Sequence, residues 1–271
     1  MLEPMDAKPI RMVLSVWSWF VLGLSVVVWL PMVAIVRLVT MPFDRGAYAA
    51  GYLFRKVVKP NSWLNPLWRF TTSGELPDDM RRPYVVVANH ESFVDMMLLS
   101  HLPTEMKYLS KIEIMKIPFL GQLMRLARDI PLVRGDSKSG ITALNVAKER
   151  LSRKTSVFIF PEGTRSRTGE LREFSAGAFK IAIEGGHPIL PLAIHGTRDC
   201  LLAGSWIQGR AHAEVRVLDP IPTDGLTKSD LDDLRTRTRD VIVAAREELR
   251  REHGDAPSYD GGSTDHVGVA D

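Results

Sequence analysis

At 271 residues, with 45% hydrophobic and 25% charged side chains, the chain has room for one large domain or for one domain with an appendage. These are globular proportions, and they exclude a disordered or fibrous class. The formal charge of +3 is mild and says little alone; no nucleic-acid partner is expected, and the single cysteine, Cys200, excludes an intrachain disulfide and fits a reducing compartment.

The chain opens on its most apolar stretch. From Met12 to Val36 there is no charged residue, and Arg11 and Arg37 flank the run. As a straight helix it would be roughly 37 Å long, enough for a bilayer core of about 30 Å. Trp17, Trp19 and Trp29 suit membrane interfaces. Pro31 is expected to kink or end the helix. The run is too long for the apolar core of a cleaved signal peptide, and no clear small-x-small site follows it. Residues 46–70 read as an amphipathic, interfacial segment, with Tyr48, Tyr52, Leu53, Val57, Trp63 and Trp68 set among basic residues. Asp44 is the only acid between residues 37 and 74, a balance that suits an anionic lipid surface and equally a solubilising charged face. A transmembrane span and a half-inserted hairpin both remain open. If the segment spans, the basic residues after it place the rest of the chain on the cytoplasmic face of the cell membrane.

From about residue 82 short apolar runs alternate with helical periods. Strands are expected at 84–88, 106–110, 130–133, 156–160, 189–194 and 213–218, and helices at 95–101, 116–127, 138–153 and 174–185. This alternation predicts an α/β fold, a mixed but largely parallel sheet flanked by helices. Residues 228–252 form a charged helix whose stripe of Leu231, Leu234, Val241, Ile242, Ala245 and Leu249 packs it on the domain. The organisation is therefore an N-terminal membrane-anchoring helical region over 1–70, an α/β domain over 71–253 and a Gly-, Asp- and Ser-rich tail over 254–271, expected to be disordered.

Two segments carry the chemistry, and each directly follows an expected strand: His90-Glu91-Ser92-Phe93-Val94-Asp95, and Phe160-Pro161-Glu162-Gly163-Thr164-Arg165-Ser166. His90 is an imidazole base at neutral pH, and Asp95 can hold its tautomer and stabilise the imidazolium. Ser92 is read as a helix N-cap or turn residue and not as a nucleophile. Arg165 offers bidentate donors to phosphate oxygens, and Gly163 lets backbone approach a ligand. Glu162 could accept from a substrate hydroxyl, orient Arg165, or simply pair with it. The histidines are scattered and form no metal-ligand pattern, so neither a metal nor a bound cofactor is expected. No Walker-type loop or dinucleotide fingerprint is present.

Both segments resemble signatures of the glycerolipid acyltransferases, most closely the bacterial 1-acylglycerol-3-phosphate (lysophosphatidate) acyltransferases. The first fits the family's His-x4-Asp motif and the second its Pro-Glu-Gly-Thr-Arg-Ser motif; the resemblance covers roughly residues 80 to 200. It implies an acyltransferase that moves an acyl group from acyl-CoA or acyl carrier protein to the free hydroxyl of membrane lysophosphatidate, making phosphatidate. It implies His90 and Asp95 as the catalytic pair, and Glu162, Gly163, Thr164 and Arg165 in substrate binding. Arg134, in Ile130-Pro131-Leu132-Val133-Arg134-Gly135, matches an Arg that follows a short strand in the family and would be a second phosphate ligand. Lys111 falls where relatives place a head-group lysine. Ile189-Leu190-Pro191-Leu192 resembles the fourth block, read as structural. The chain departs from the family after the second motif, where Phe174-Ser175-Ala176-Gly177 stands in place of a Phe and paired lysines and Lys180 comes later; the departure bears on head-group preference. An acyl chain would lie among Met96, Met97, Leu98, Leu99, Ile114, Met115, Ile117, Phe119, Leu120, Leu123 and Met124, although their helical spacing reads equally as ordinary core packing for most of them. Alternatives are acylation of glycerol 3-phosphate or another lysophospholipid, a thioesterase using the same dyad on water, and a non-catalytic protein that binds anionic lipid.

Overall fold

The computed structural model describes residues 7–165 and 171–254. The tail expected to be disordered falls, from residue 255, outside the described residues, as does Ser166.

Helix α1, Lys8–Thr40, is 33 residues long, about 50 Å at the α-helical rise. It continues past Pro31, so the end that the sequence allowed there does not occur. The proline removes one backbone bond, but apolar helix formers on both sides and the buried anchors Val26 and Val33 keep the helix going. The helix is apolar on both sides: Val21, Val26 and Val33 are buried against the protein, with polar groups set among them. The face turned to the protein carries Arg11, Ser15, Ser18 and Ser25, all buried, while Val13, Phe20, Leu24, Val28, Ile35 and Leu38 are exposed. Three of these inward polar groups, Ser18, Ser15 and Arg11, have hydrogen-bond partners across the interface. Asn61 Nδ2 donates to the Ser18 carbonyl (2.6 Å) and hydroxyl (2.9 Å), Asn65 Nδ2 donates to the same hydroxyl (3.1 Å), and Gln208 N donates to Ser15 Oγ (2.8 Å). Arg11 Nε donates to the Gln208 carbonyl at 2.9 Å. Small side chains let the helix approach closely, and each hydrogen bond removes the cost of a buried polar group.

Helices α2 (Tyr48–Arg55) and α3 (Lys59–Leu64) follow and pack on α1. Residues 68–70, read as the end of an interfacial segment, instead begin strand β1, Trp68–Ser73. The alternation Trp-Arg-Phe-Thr is a strand period that the surrounding basic and aromatic residues concealed. The remaining strands fall where expected: β2 (Val85–Ala88), β3 (Met106–Lys111), β4 (Ile130–Leu132), β5 (Ser156–Ile159), β6 (Ile189–His195) and β7 (Ala211–Val217). They form one seven-stranded sheet in the order β1-β7-β6-β2-β5-β3-β4. Every neighbouring pair is parallel except β6–β7. The central strands β2 and β5 are buried on both faces and, apart from Ser156 at the start of β5, are apolar throughout, as interior parallel strands tend to be. Helices α4 (Asp95–Leu99), α5 (Leu120–Leu126), α6 (Ser137–Ser152), α7 (Gly177–Gly185), α8 (Thr197–Cys200) and α9 (Leu231–His253) complete the fold. Helix α5 starts later than expected because residues before it, Ile114–Lys116, form a single 3-10 turn closed by Ile117-Pro118.

Under β3 lies a buried ion cluster. Arg55 of α2 donates to Glu105 (3.1 Å) and Asp129 (2.5 Å), Lys107 Nζ donates to Glu105 (2.8 Å) and to the Ala47 carbonyl (2.9 Å), and the Arg55 guanidinium lies 3.9 Å from the Tyr108 ring centroid. Two cations meet two anions, which is what keeps these charges tolerable away from water. Gly51 presses against this cluster: a Cβ there would sit 2.0 Å from Glu105 Oε1 and 2.9 Å from Lys107 Nζ. Helix propensity alone would make Gly51→Ala stabilising by about 1 kcal/mol. The clash reverses the sign. Gly51→Ala is expected to destabilise by about 1–3 kcal/mol, read as a lower melting temperature in a fixed detergent; an unchanged or raised melting temperature contradicts this packing.

Candidate active site

The carboxyl-terminal ends of four adjacent parallel strands deliver the candidate residues to one edge of the sheet. β2 leads into Asn89-His90, β5 into Phe160–Arg165, β3 ends at Lys111, and β4 is followed by Arg134. Open parallel sheets place their ligand crevice on this side. Asn89 fixes the end of β2. Its Nδ2 donates to the Ile194 carbonyl and its Oδ1 accepts from Ile194 N, both at 2.8 Å, so β2 and β6 are locked where regular pairing stops.

Asp95 is fully buried at the start of α4. Its Oδ2 accepts from His90 Nδ1 (2.6 Å), Glu91 N (2.8 Å) and Ser92 N (3.1 Å), and its Oδ1 accepts from the Thr197 hydroxyl. The five-residue spacing thus closes a tight loop around one carboxylate. The imidazole is held a second way, by stacking on Phe160 with ring centroids 3.8 Å apart and planes 14° from parallel. Ser92 does not cap α4. Its hydroxyl donates to the Leu201 carbonyl at 2.9 Å, and its own carbonyl accepts from Asp95 N in a turn.

Glu162 links the two motifs. Its Oε1 accepts from His90 N (2.7 Å) and its Oε2 from Arg172 N (3.0 Å). Burial raises its carboxyl above the ordinary value, while the two backbone N–H groups act in the opposite direction. Gly163 has φ +70° with open space where a Cβ would stand, so the turn needs glycine for its backbone angle. Thr164 and Arg165 follow in the chain.

His90, Lys111, Arg134, Arg165 and Phe160 line one cleft of about 330 Å³, together with Phe93, Met96 and Ile114. The fold therefore gathers the three expected cations around the imidazole, while Asp95 holds the ring, Glu162 holds the His90 backbone N–H, and Gly163 and Thr164 are not among the lining residues. Lys111 is partnered loosely by Glu113 at 3.8 Å. Burial, and then the charge of Arg165, lower the Arg134 guanidinium from its usual value. Two cations that repel across a cleft are stabilised by an anion between them. Phe93, Met96, Ser110 and Ile114 also line an adjoining cavity of about 110 Å³. That cavity is almost wholly apolar, bounded by Leu22 and Val26 of α1 and by Met97, Leu120 and Met124, and it reaches the Arg55–Asp129 ion pair.

Several contributors escaped the sequence. Thr197 is brought to Asp95 only by the β6–α8 turn. Arg246 of α9 donates to Glu91 at 3.0 Å. Thr197 also reaches Glu91, at 3.4 Å, so the loop between β2 and α4 is held from α8 and α9 together.

Residues 69–195 match the Acyltransferase family model. Over 150 residues the chain is 40% identical to the chloroplastic 1-acyl-sn-glycerol-3-phosphate acyltransferase BAT2 of Brassica napus, covering 55% of this chain and 43% of that protein. It is 33% identical over 173 residues to the 1-acyl-sn-glycerol-3-phosphate acyltransferase of Saccharomyces cerevisiae, covering 62% and 57%. The chain spans about half the length of these curated relatives. The crystal structure of the 1-acyl-sn-glycerophosphate acyltransferase PlsC from Thermotoga maritima superposes with a TM-score of 0.76 at 26% identity, over 90% of this chain and 97% of that one. The chain carries an acyltransferase-family domain, and the fold is that of PlsC.

Burial pushes the Glu91 carboxyl up to about 7 against the pull of Arg246, and the Asp95 charge adds to the rise. From the ordinary value of 4.5 up to about 7 the folded chain holds a proton there that the unfolded chain has released, so stability falls as pH rises through that window. Glu91→Gln mimics the protonated group. Relative to wild type it is expected to gain thermal stability between pH 5 and pH 8; a melting difference that does not change with pH refutes the assignment.

Proposed function

We propose that this chain is a 1-acylglycerol-3-phosphate acyltransferase that makes phosphatidate. The observation that carries the reading is a carboxylate-held imidazole facing a cleft ringed by Lys111, Arg134 and Arg165. His90 Nδ1 donates to Asp95, which leaves Nε2 to take the proton from the free hydroxyl of the acceptor. The oxygen attacks the thioester carbonyl, a tetrahedral intermediate forms, and the carbon–sulfur bond breaks. The imidazolium then returns its proton to the departing thiolate. Asp95 stays ionised throughout, and no enzyme nucleophile takes part. The acceptor phosphate sits among the three cations, Arg165 offering bidentate donors.

The apolar cavity beside Met96 and Ile114 would hold the acyl chain, with α1 as one wall and the Arg55–Asp129 pair as its far boundary. Either acyl-CoA or acyl carrier protein can present the thioester. The exposed apolar face of α1, continued by the exposed Trp63 and Trp206, supports a monotopic attachment in which the helix lies on the membrane with the protein against its opposite face. The catalytic domain then faces the cytoplasm, where thioester donors are found.

The test is thiol release by the purified chain in mild detergent with an acyl-CoA, offered lysophosphatidate, glycerol 3-phosphate or no acceptor. Release only with lysophosphatidate, with phosphatidate formed, is expected. Equal release without acceptor makes the protein a thioesterase, and preference for glycerol 3-phosphate reassigns the acceptor. His90→Ala is expected to lower turnover about 10³-fold with lipid binding retained, and near wild-type turnover removes the general base. Arg165→Ala is expected to weaken use of the phosphorylated acceptor by about 10- to 100-fold, seen mainly in KM.

A further inference from the structure

Away from the cleft, at the β1–β7 edge of the sheet, the fold gathers a second cluster that acyl transfer does not use. His212 and Glu214 are two residues apart on β7, so they project from the same face, opposite the core residues Ala213 and Val215. His253, in the last turn of α9, comes down onto this face. One ligand atom from each of the three, two imidazole nitrogens and a carboxylate oxygen, lie within 4.8 Å of one another. His253 Nε2 already lies 2.8 Å from Glu214 Oε2.

The other Glu214 oxygen is engaged from outside the cluster. Oε1 accepts from the Ser73 hydroxyl and pairs with Arg216 at 3.5 Å. That leaves Oε2 aimed at the two imidazoles, with its orientation fixed by a neighbouring shell, the arrangement that supports a ligating carboxylate. The Thr71 hydroxyl lies 2.9 Å from His212 Nε2 and 3.3 Å from Glu214 Oε2, at the remaining position of the group. Two imidazoles and one carboxylate with a fourth place taken by hydroxyl or water is a donor set for a borderline divalent ion, and neither hard enough for magnesium nor thiolate-rich.

We propose that His212, Glu214 and His253 bind one divalent ion of the zinc class. The ion clips the end of α9 to the sheet. Two turns back, the same helix supplies Arg246 to Glu91, so the clip bears on the helix that braces the loop between β2 and α4. The site is structural in kind: its ligands come from a strand and a helix end, and none of them lines the cleft.

The experiment uses the full-length, untagged chain in detergent, stripped with chelator, and titrated with ZnCl2 at neutral pH by calorimetry, with MgCl2 as the parallel titration. Expected are saturable binding of one zinc equivalent, no binding of magnesium, and a melting temperature raised by about 5 °C at a zinc concentration near 100 times the Kd. His253→Gln, Glu214→Gln and His212→Gln are each expected to weaken zinc binding at least ~10-fold, with far-UV circular dichroism checking that each variant is folded. Absence of a saturable single equivalent in the wild-type chain overturns the proposal without reference to any variant. So does equal binding of magnesium, or an affinity that all three folded variants share with wild type.

Discussion

Everything at the cleft depends on how one buried carboxylate is satisfied. An unpaired Asp95 in this position would be among the most costly groups in the molecule. Two backbone N–H groups, the Thr197 hydroxyl and the His90 ring meet it instead. The same contacts that make the carboxylate tolerable also fix the ring. Asp95 cannot be exposed without releasing the loop, and the loop cannot move without unsatisfying Asp95. Glu162 repeats the device from the second motif by accepting from His90 N, so the two signature segments are joined through a side chain and a backbone group. Glu162 thus joins the two motifs through the backbone of His90.

The sheet explains why segments about 70 residues apart meet. Parallel strands all release their loops at the same edge, and β2, β5, β3 and β4 are consecutive neighbours. Each contributes one part of the cleft: the His90 imidazole, the turn that carries Arg165, Lys111 and Arg134. This much was legible in the sequence, because unbroken apolar runs mark interior parallel strands and the residues just beyond them must lie on the crevice side. The acyltransferase domain could be named from two short motifs because both are loops whose local geometry is strict: one closes a carboxylate, and the other needs glycine at a positive φ.

What escaped has physical reasons. β1 was hidden because Trp68 and Phe70 among basic residues satisfy a membrane-interface pattern and a strand pattern equally well. Pro31 was read as a breaker, yet tertiary packing of Val26 and Val33 overrides a single missing hydrogen bond. Thr197 and Arg246 carry no local signal, since a hydroxyl after a strand and an arginine on a charged helix are ordinary until the fold brings them to Asp95 and Glu91. The grouping of His212, Glu214 and His253 is hidden for the same reason: about 40 residues and a helix separate the two histidines, and no spacing rule spans that.

The inward serines of α1 carry a consequence for the protein as a physical object. A helix that buries valines and serines against its own domain but leaves valine, leucine and phenylalanine exposed on the other side has left part of its apolar burial to the surroundings. The hydrophobic contribution of that face, which in an ordinary domain is intrinsic, here comes from whatever amphiphile covers it. Lipid or detergent then acts as a ligand of the native state, and the free energy of folding is shared between the chain and its host phase by mass action. The melting temperature of this protein is thus a property of a two-component system, and swapping the host phase is thermodynamically equivalent to mutating the outer face of the helix.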